Sequence, residues 1–516
     1  MKRIYSTFIA LLAAAFLLGG CTSTFDGLNT NPDAPEDVTS SMLATKMILD
    51  MTQSASNWRN EFLVKRMVWG EQMDDGQYNR FGHGSFDGVK LLTNAQKMVE
   101  YAGEKDKDAY TGLFYFLKGW YFYQATMDMG DIPYSEALDI DTYRTPKYDE
   151  QKEVFRGILS DLEQAEAYFV KAAGQTFDGD PFYHGSTGSW RKATNVLRLK
   201  VLMTLQKRAE DTPELKVKET FAQIVSEGNL FTGNGDNLQV TYSDKEGQQN
   251  PMHNTLTRSI EVYGASTMLT EPLKQYRDYR LFYYLAPAQA LTDPLYLPKG
   301  ETLLEADDWN AYPGLDIAGA FNDEHEKIAD RMHSRPNDVY RLSYEGVPCI
   351  RLGYADMNFI LAEAVERGWI TGNARKYYEE GVRAAFAFVK STVPAHYAPA
   401  SRAITDAYVE AYLQQPETAY KEAGTVRERL EQIWMQAYLA GYFHLAKDAY
   451  YEFRRTGYPV FPVNPLTNLN DAKDKIPVRY MYPESETSYN KEQLTAALQR
   501  QWNGTDDVNN RMWLIK

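Results

Sequence analysis

The chain has 516 residues, of which 44% are hydrophobic and 24% are charged, so it carries enough apolar side chains for a large folded core. Its 70 acidic residues outnumber its 55 lysines and arginines, and the formal net charge is −15. Because this charge repels phosphate backbones and no run of basic residues opposes it, nucleic acid is excluded as a partner.

The chain begins with the pattern of an export signal. A basic start and an apolar stretch over 8–18 precede the string Leu18-Gly19-Gly20-Cys21. The stretch is too short to span a bilayer, so residues 1–20 are predicted to be a cleaved signal peptide. The string resembles the bacterial lipobox, in which the cysteine is acylated. We predict that Cys21 anchors the mature chain to membrane lipid, the alternative being an ordinary signal peptide with a coincidental cysteine.

Cys349 is the only other cysteine, so the mature chain has no pair of thiols for an internal disulfide. Its neighbours are apolar and no histidine is close in sequence, which predicts a buried, inert thiol rather than a nucleophile. Residues 21–40 are rich in Thr, Asn, Asp and Pro, which predicts an extended leader between the lipid and the body. We expect the body, 41–516, to be a single unit.

Helical spacing of apolar residues dominates from Ser40 onward, which predicts a mainly α fold. The clearest predicted helices are 106–129, 148–173, 189–208, 355–367, 373–389 and 426–446.

One helix pair has the residue spacing of a tetratricopeptide repeat, in which small residues let two helices approach and an aromatic ring fills the gap. The matching residues are Leu361, Ala362, Gly372, Ala374, Tyr378 and Gly381. The pattern predicts a scaffold of tetratricopeptide-like helix pairs.

Long stretches between the helices lack helical spacing and are rich in Gly, Pro, Asn and Asp: 74–88, 174–188, 228–258 and 286–350. Structureless loops of this length are usually functional. Aromatic residues and an arginine in and beside these stretches are the candidate ligand contacts, since flat rings stack on sugars or grip peptides. The candidates are Trp69, Tyr78, Arg80, Phe81, Trp309 and Tyr312, with Phe86 nearby. The alternative is that each aromatic anchors its own loop to the scaffold.

No catalytic or metal-binding motif emerges. The string beginning His325-Glu326 lacks the second histidine of a zinc HExxH motif. His325 and His333 with their acidic neighbours suit either a cation site or a solvated charged helix, and the pattern favours the helix. A pair of glycosidase carboxylates can be drawn from any 70 acidic residues, so a hydrolase stays open as an alternative.

Short strings in a fixed order along the chain resemble one known family. They are 29–35 (NTNPDAP), 130–137 (GDIPYSEA), 190–199 (WRKATNVLRL), 354–364 (YADMNFILAEA), 454–459 (RRTGYP) and 476–483 (IPVRYMYP). Together they resemble the SusD/RagB family of outer-membrane nutrient-binding lipoproteins, in particular its SusD-like subgroup. The chain departs from the family pattern at Thr194, Val196 and Asp356.

The resemblance implies tetratricopeptide-like helix pairs that carry a loop-rich face. It also implies a lipoprotein of the cell surface, without catalysis or cofactor, that captures oligosaccharides or peptides and hands them to a SusC-like TonB-dependent transporter. Of the family's ligand contacts, the resemblance assigns only two regions of this chain, the one from Trp69 to Phe86 and the loop with Trp309 and Tyr312. A surface glycoside hydrolase and a periplasm-facing helical-repeat adaptor are the alternatives.

Overall fold

A computed structural model describes residues 38–53, 59–257 and 262–516. The predicted signal peptide, Cys21 and nearly all of the leader lie outside the described residues. Within them the chain is mainly helical, as expected, and its short strands pair into two-stranded antiparallel sheets.

The helices in chain order are α1 (Ser40–Gln53), α2 (Asn60–Leu63), α3 (Asp87–Lys90), α4 (Leu92–Glu100), α5 (Lys107–Met129), α6 (Gln151–Lys171), α7 (Thr187–Thr204), α8 (Val217–Glu227), α9 (Thr267–Gln275), α10 (Arg280–Tyr284), α11 (Gln289–Thr292), α12 (Phe321–Ala329), α13 (Asp338–Leu342), α14 (Tyr354–Glu366), α15 (Ala374–Thr392), α16 (Asp406–Tyr412), α17 (Val426–Ala440), α18 (Ala446–Thr456), α19 (Glu486–Tyr489) and α20 (Lys491–Trp502). The strands are β1 (Met67–Trp69), β2 (Ile132–Pro133), β3 (Tyr148–Asp149), β4 (Leu238–Val240), β5 (Tyr263–Ala265), β6 (Leu285–Ala286), β7 (Arg335–Pro336) and β8 (Cys349–Leu352). The sheet partners are β1 with β5, β2 with β3, β4 with β8, and β6 with β7.

Two antiparallel helix hairpins form the centre of the scaffold, α5 with α6 and α14 with α15. Glycines set their close approach. A Cβ atom on Gly119 of α5 would lie 2.6 Å from Leu162 of α6, and one on Gly381 of α15 would lie 2.6 Å from Phe359 of α14. Contacts this short are incompatible with any larger residue unless the neighbour moves.

The helix pair predicted from tetratricopeptide spacing is the hairpin of α14 and α15. Tyr378 of α15 has no exposed surface, and its hydroxyl donates a 2.7 Å hydrogen bond to the carbonyl of Thr418. Gly372 lies in the connecting turn with a φ of +155°, a conformation that favours glycine. Further helices pack on both hairpins: α4 on α5, α7 on α6, and α17 on α14.

Buried ion pairs join the layers. Arg455 of α18 contacts Glu363 of α14 with nitrogen–oxygen distances of 2.6 and 2.7 Å, and Trp434 of α17 donates to the same carboxylate. Burial opposes ionisation of Glu363, but Arg455, Arg367 and the Trp434 hydrogen bond together outweigh burial and lower the pKa of that carboxyl. Because one unpaired buried charge is costly, these partners hold the three helices in one arrangement.

The predicted helix bounds agree with the observed ones except near their ends. The prediction 189–208 continues beyond α7 as a 3₁₀ turn, and the prediction 426–446 is too long because the helix ends at Ala440. There Phe443 has a φ of +58°, which an α-helix does not permit.

The stretch 286–350 is not wholly irregular, as the sequence predicted, because it contains α12. This nine-residue helix exposes a charged face and has few apolar residues, so helical periodicity is weak in the sequence. Its position agrees with the charged-helix interpretation of His325. Cys349 on β8 is buried, as predicted.

Candidate ligand-binding site

The two segments that carry the predicted contacts, 69–86 and 306–334, lie side by side. The hydroxyl of Tyr78 donates a 3.3 Å hydrogen bond to the carbonyl of Gly319, a residue 241 positions away. Beneath them, β1 is paired with β5, and Trp69 lies opposite Tyr263. The fold thus brings together the two loop segments that the sequence singles out.

Four of the predicted contact side chains are nearly fully buried, with relative exposures of 6% for Trp69, 2% for Tyr78, 7% for Phe81 and 1% for Tyr312. The Trp69 ring packs edge-on against Tyr263, with centroids 5.9 Å apart. The Tyr312 hydroxyl donates to the carbonyl of Ala306 at 2.8 Å. Such contacts fasten the loops to the scaffold, which is the alternative that the sequence left open. In this structure these rings offer little surface to a ligand.

Arg80 and Trp309 are the two predicted contacts with accessible side chains. The Arg80 side chain is 60% exposed and lies 3.4 Å from the Asp75 carboxylate. Trp309 is half-buried, packs against Phe282 with ring centroids 4.8 Å apart, and has the guanidinium of Arg402 5.5 Å from its centroid. Of the predicted contacts, Arg80 and Trp309 are therefore the ones that a ligand can reach most readily.

Arg80 lies at a polar cavity of about 220 Å³, which we name the Arg80 pocket. Its lining residues are Asn79, Arg80, Phe81, Leu469, Asn470, Asp471, Met481, Asp506, Asp507, Val508 and Asn509. The pocket therefore combines guanidinium donors, carboxylate acceptors and amides that do both. These groups are suited to hydrogen-bonding a hydroxyl-rich ligand.

Hydrogen bonds between distant segments fix the walls of the Arg80 pocket. The backbone N–H of Leu469 donates to the carbonyl of Tyr78 at 2.8 Å, and that of Gly84 donates to Met481 at 2.7 Å. Asn470 and Asn509 donate to each other's amide oxygens at 2.7 and 2.9 Å. Three loops from different parts of the chain are thus held in a fixed relation.

Arg479 supports the wall that contains the aspartates. Its side chain is fully buried and donates to a carboxylate oxygen of Asp506 at 2.5 Å and to the carbonyl of Asp507 at 3.1 Å. The other Asp506 oxygen accepts a hydrogen bond from the backbone of Tyr482 at 2.9 Å. Asp506 is therefore already neutralised and hydrogen-bonded.

Lys65 supports the opposite wall from inside the protein. Its ammonium donates to the carbonyls of Gly76 and Gln77 at 3.1 and 2.6 Å and to the side-chain oxygen of Asn79 at 2.8 Å. Burial lowers the pKa of Lys65 to about 7, although the nearby Asp74 opposes this shift. Lys65 thus contacts three of the residues just before Arg80 from inside the protein.

None of the predicted contacts lies on the other side of the pocket. Asn470, Asp471, Asp507 and Asn509 belong to two short Asn/Asp-rich strings near the C-terminus. Those strings were the available signal, but such composition is also typical of ordinary turns.

A second, wider cavity of about 590 Å³ lies beside α12. Its lining residues are Tyr296, Pro298, Asp323, Glu326, Lys327, Asp330 and Met332. One ring face of Tyr296 is covered by Arg331, 4.1 Å from the centroid. Among the residues that the structure describes, no cluster of three or more His, Cys, Asp or Glu side chains is arranged to hold a metal ion.

The chain thus combines a helical scaffold with a polar pocket between its loops. The family described as "starch-binding associating with outer membrane" matches residues 32–483. The chain belongs to this SusD-like family. No curated protein matches the chain.

Solved structures of similar proteins agree with this assignment. A SusD homolog from Bacteroides fragilis is 44% identical, with 93% of this chain and all of that chain covered and a TM-score of 0.87. A second SusD homolog from the same species is 32% identical, with the same coverage and a TM-score of 0.81. A chitin-binding SusD homolog from Flavobacterium johnsoniae is 20% identical, covers 92% of this chain and 98% of its own, and has a TM-score of 0.71, which shows a shared fold alone.

The family is associated with the outer membrane. In the described part of the chain, no helix has the length and apolar character needed to cross a bilayer.

Proposed function

We propose that this protein is a lipoprotein of the cell surface that captures oligosaccharides and delivers them to a SusC-like TonB-dependent transporter. The observation that carries this proposal is the Arg80 pocket, because its groups match the hydroxyls of a sugar and its walls are fixed before a ligand arrives. The description of the family as starch-binding favours a carbohydrate over a peptide.

The anchoring half of the proposal rests on Cys21. A lipidated cysteine holds the protein at the membrane, and a leader over 21–40 gives the body the reach to dock on a partner in the same membrane. A transporter is the required partner because capture alone does not move a ligand across the outer membrane. We place the body on the outer side, where polymers are available.

The central test is calorimetry of the mature lipoprotein in detergent against panels of oligosaccharides and peptides. We expect an oligosaccharide to bind, with loss of affinity in Arg80→Ala. The matched control is Arg144→Ala, which removes another exposed arginine away from the lining residues. Binding of peptides alone would reject the carbohydrate assignment, and release of sugar products would favour the hydrolase alternative.

Two further experiments address partner and orientation. Affinity purification from outer membranes is expected to recover a TonB-dependent barrel, and its absence would reject the delivery role. Proteolysis of intact cells is expected to degrade the protein, whereas protection would favour the periplasm-facing adaptor.

A further inference from the structure

We infer that the Arg80 pocket receives a single uncharged sugar ring and discriminates against acidic sugars. This inference rests on the proposed function, since it names the ligand class of the same site. It comes from the charges of the lining residues, from the pairing of their hydrogen-bonding groups and from the size of the pocket.

The pocket has an excess of negative charge. Of the described residues that line it, Arg80 alone is cationic, whereas Asp471, Asp506 and Asp507 are anionic. Arg479 neutralises Asp506 at 2.5 Å, which leaves two aspartates facing one arginine. Arg80 itself lies 3.4 Å from another carboxylate, that of Asp75. A carboxylate or sulfate on the ligand would therefore meet net repulsion.

The nearby lysine does not reverse this balance. Lys473 lies in the loop that supplies Asp471, but its ammonium donates a 2.9 Å hydrogen bond to the carbonyl of Asn468. It is not among the lining residues.

The hydrogen-bonding groups of the lining match the hydroxyls of a sugar ring. An ammonium group only donates hydrogen bonds, so it can pair with Asp471 but cannot accept a hydrogen bond from Arg80. A sugar hydroxyl both donates and accepts. Hydroxyls of a sugar ring can therefore accept from a guanidinium such as that of Arg80 and donate to a carboxylate such as that of Asp471.

The size of the pocket limits the ligand to about one ring. Its volume of about 220 Å³ lies below the range of roughly 300–1,000 Å³ that is usual for drug-sized ligands. The reciprocal amide pair of Asn470 and Asn509 and the buried Arg479 keep the walls from widening. A longer chain would thus place one residue in the pocket and leave the rest outside.

The test uses pairs of oligosaccharides that differ in ring charge. Galactose oligomers are compared with galacturonate oligomers by calorimetry at low salt on the mature lipoprotein. We expect the galactose oligomers to bind and the galacturonate oligomers to bind at least about tenfold more weakly, because their carboxylates would face Asp471 and Asp507.

Substitutions in the lining test whether the sugar binds in the Arg80 pocket. Arg80→Ala and Asp471→Asn are each expected to weaken neutral-sugar binding by about tenfold, the usual scale for one hydrogen bond to a charged group. Asp471→Lys is expected to improve galacturonate binding. Both residues are exposed, so unchanged melting temperatures are the folding control.

The outcomes separate the inference from the proposed function. If galacturonate oligomers bind as tightly as galactose oligomers, or if a neutral sugar binds and neither variant weakens it, the inference is wrong and sugar capture stands. If no sugar of a broader panel binds the wild-type protein, the proposed function and the inference fail together.

Discussion

Arg80 and Tyr312 both belong to loops that the sequence marks as ligand-binding candidates, yet their surroundings differ. The Arg80 side chain is 60% exposed beside a polar pocket, whereas Tyr312 is 1% exposed and hydrogen-bonded to its own loop. At the scale of single residues, exposure therefore separates side chains that can meet a ligand from those that hold the loop in place.

Trp309 lies between these extremes, and replacing it tests which role it has. Trp309→Ala is expected to weaken oligosaccharide binding by about 1–3 kcal/mol, because an accessible aromatic ring is typical of a binding hot spot. Tyr312→Ala, by contrast, is expected to lower the free energy of unfolding by about 3–5 kcal/mol, because it removes a buried ring from the core. Calorimetric titration and urea unfolding measure the two effects. Unfolding of Trp309→Ala at moderate temperature would show that this ring, too, is an anchor.

At the scale of elements, the close packing of the helix hairpins depends on glycines at the points where the helices cross. The α5–α6 hairpin is close enough for Gly119 to contact Leu162, and the α14–α15 hairpin has Gly381 against Phe359. Lys200 of α7 adds a buried ionic link, with Asp356 of α14 at 3.3 Å and Asp448 of α18 at 3.0 Å. The loops are thus attached to a closely packed helical scaffold that resists deformation.

Gly119→Val tests this close approach. The new side chain would overlap Leu162, so we expect the free energy of unfolding to fall by about 1–3 kcal/mol, the usual cost of overpacking. Gly103→Ala is the matched control, because a Cβ there has no heavy atom within 4 Å. Urea unfolding midpoints measure both changes, and equal stability of the two variants would contradict the packing argument.

At the scale of the whole molecule, stability depends on side chains that folding keeps uncharged. Burial lowers the pKa of His444 to about 3 and that of His333 to about 4, and nearby arginines add to both shifts. Below pH 6.5 the unfolded chain takes up protons at these histidines that the folded chain does not. The contribution of these histidines to the free energy of unfolding therefore falls as the pH drops.

We expect this fall to be visible between pH 6.5 and 5, with a slope of up to about 1.4 kcal/mol per pH unit for each histidine. Urea unfolding at several pH values measures it. His444→Gln is expected to reduce the slope, while His396→Gln, at an exposed position, leaves it unchanged. A slope that is the same in all three proteins would contradict the assignment.

The proposed lipid anchor concerns the whole molecule. Cys21→Ala removes the only thiol at the predicted lipidation site, so we expect the protein to move from the membrane fraction to the soluble fraction. Sedimentation and mass spectrometry of the mature N-terminus measure this change. An unmodified N-terminus in the wild-type protein would reject the anchor.

The sequence by itself determined the fold class and the α14–α15 hairpin, because the apolar spacing of a helix and the small residues at a helix crossing are local patterns. The family strings are likewise recognised from residues that are consecutive in the sequence. Tertiary structure alone decided that Tyr78 and Tyr312 are buried and that Arg80 meets Asn470 and Asn509 at one pocket. Burial and pocket formation depend on contacts between residues far apart in the sequence. Such contacts produce no periodic pattern of residue types that a sequence could reveal.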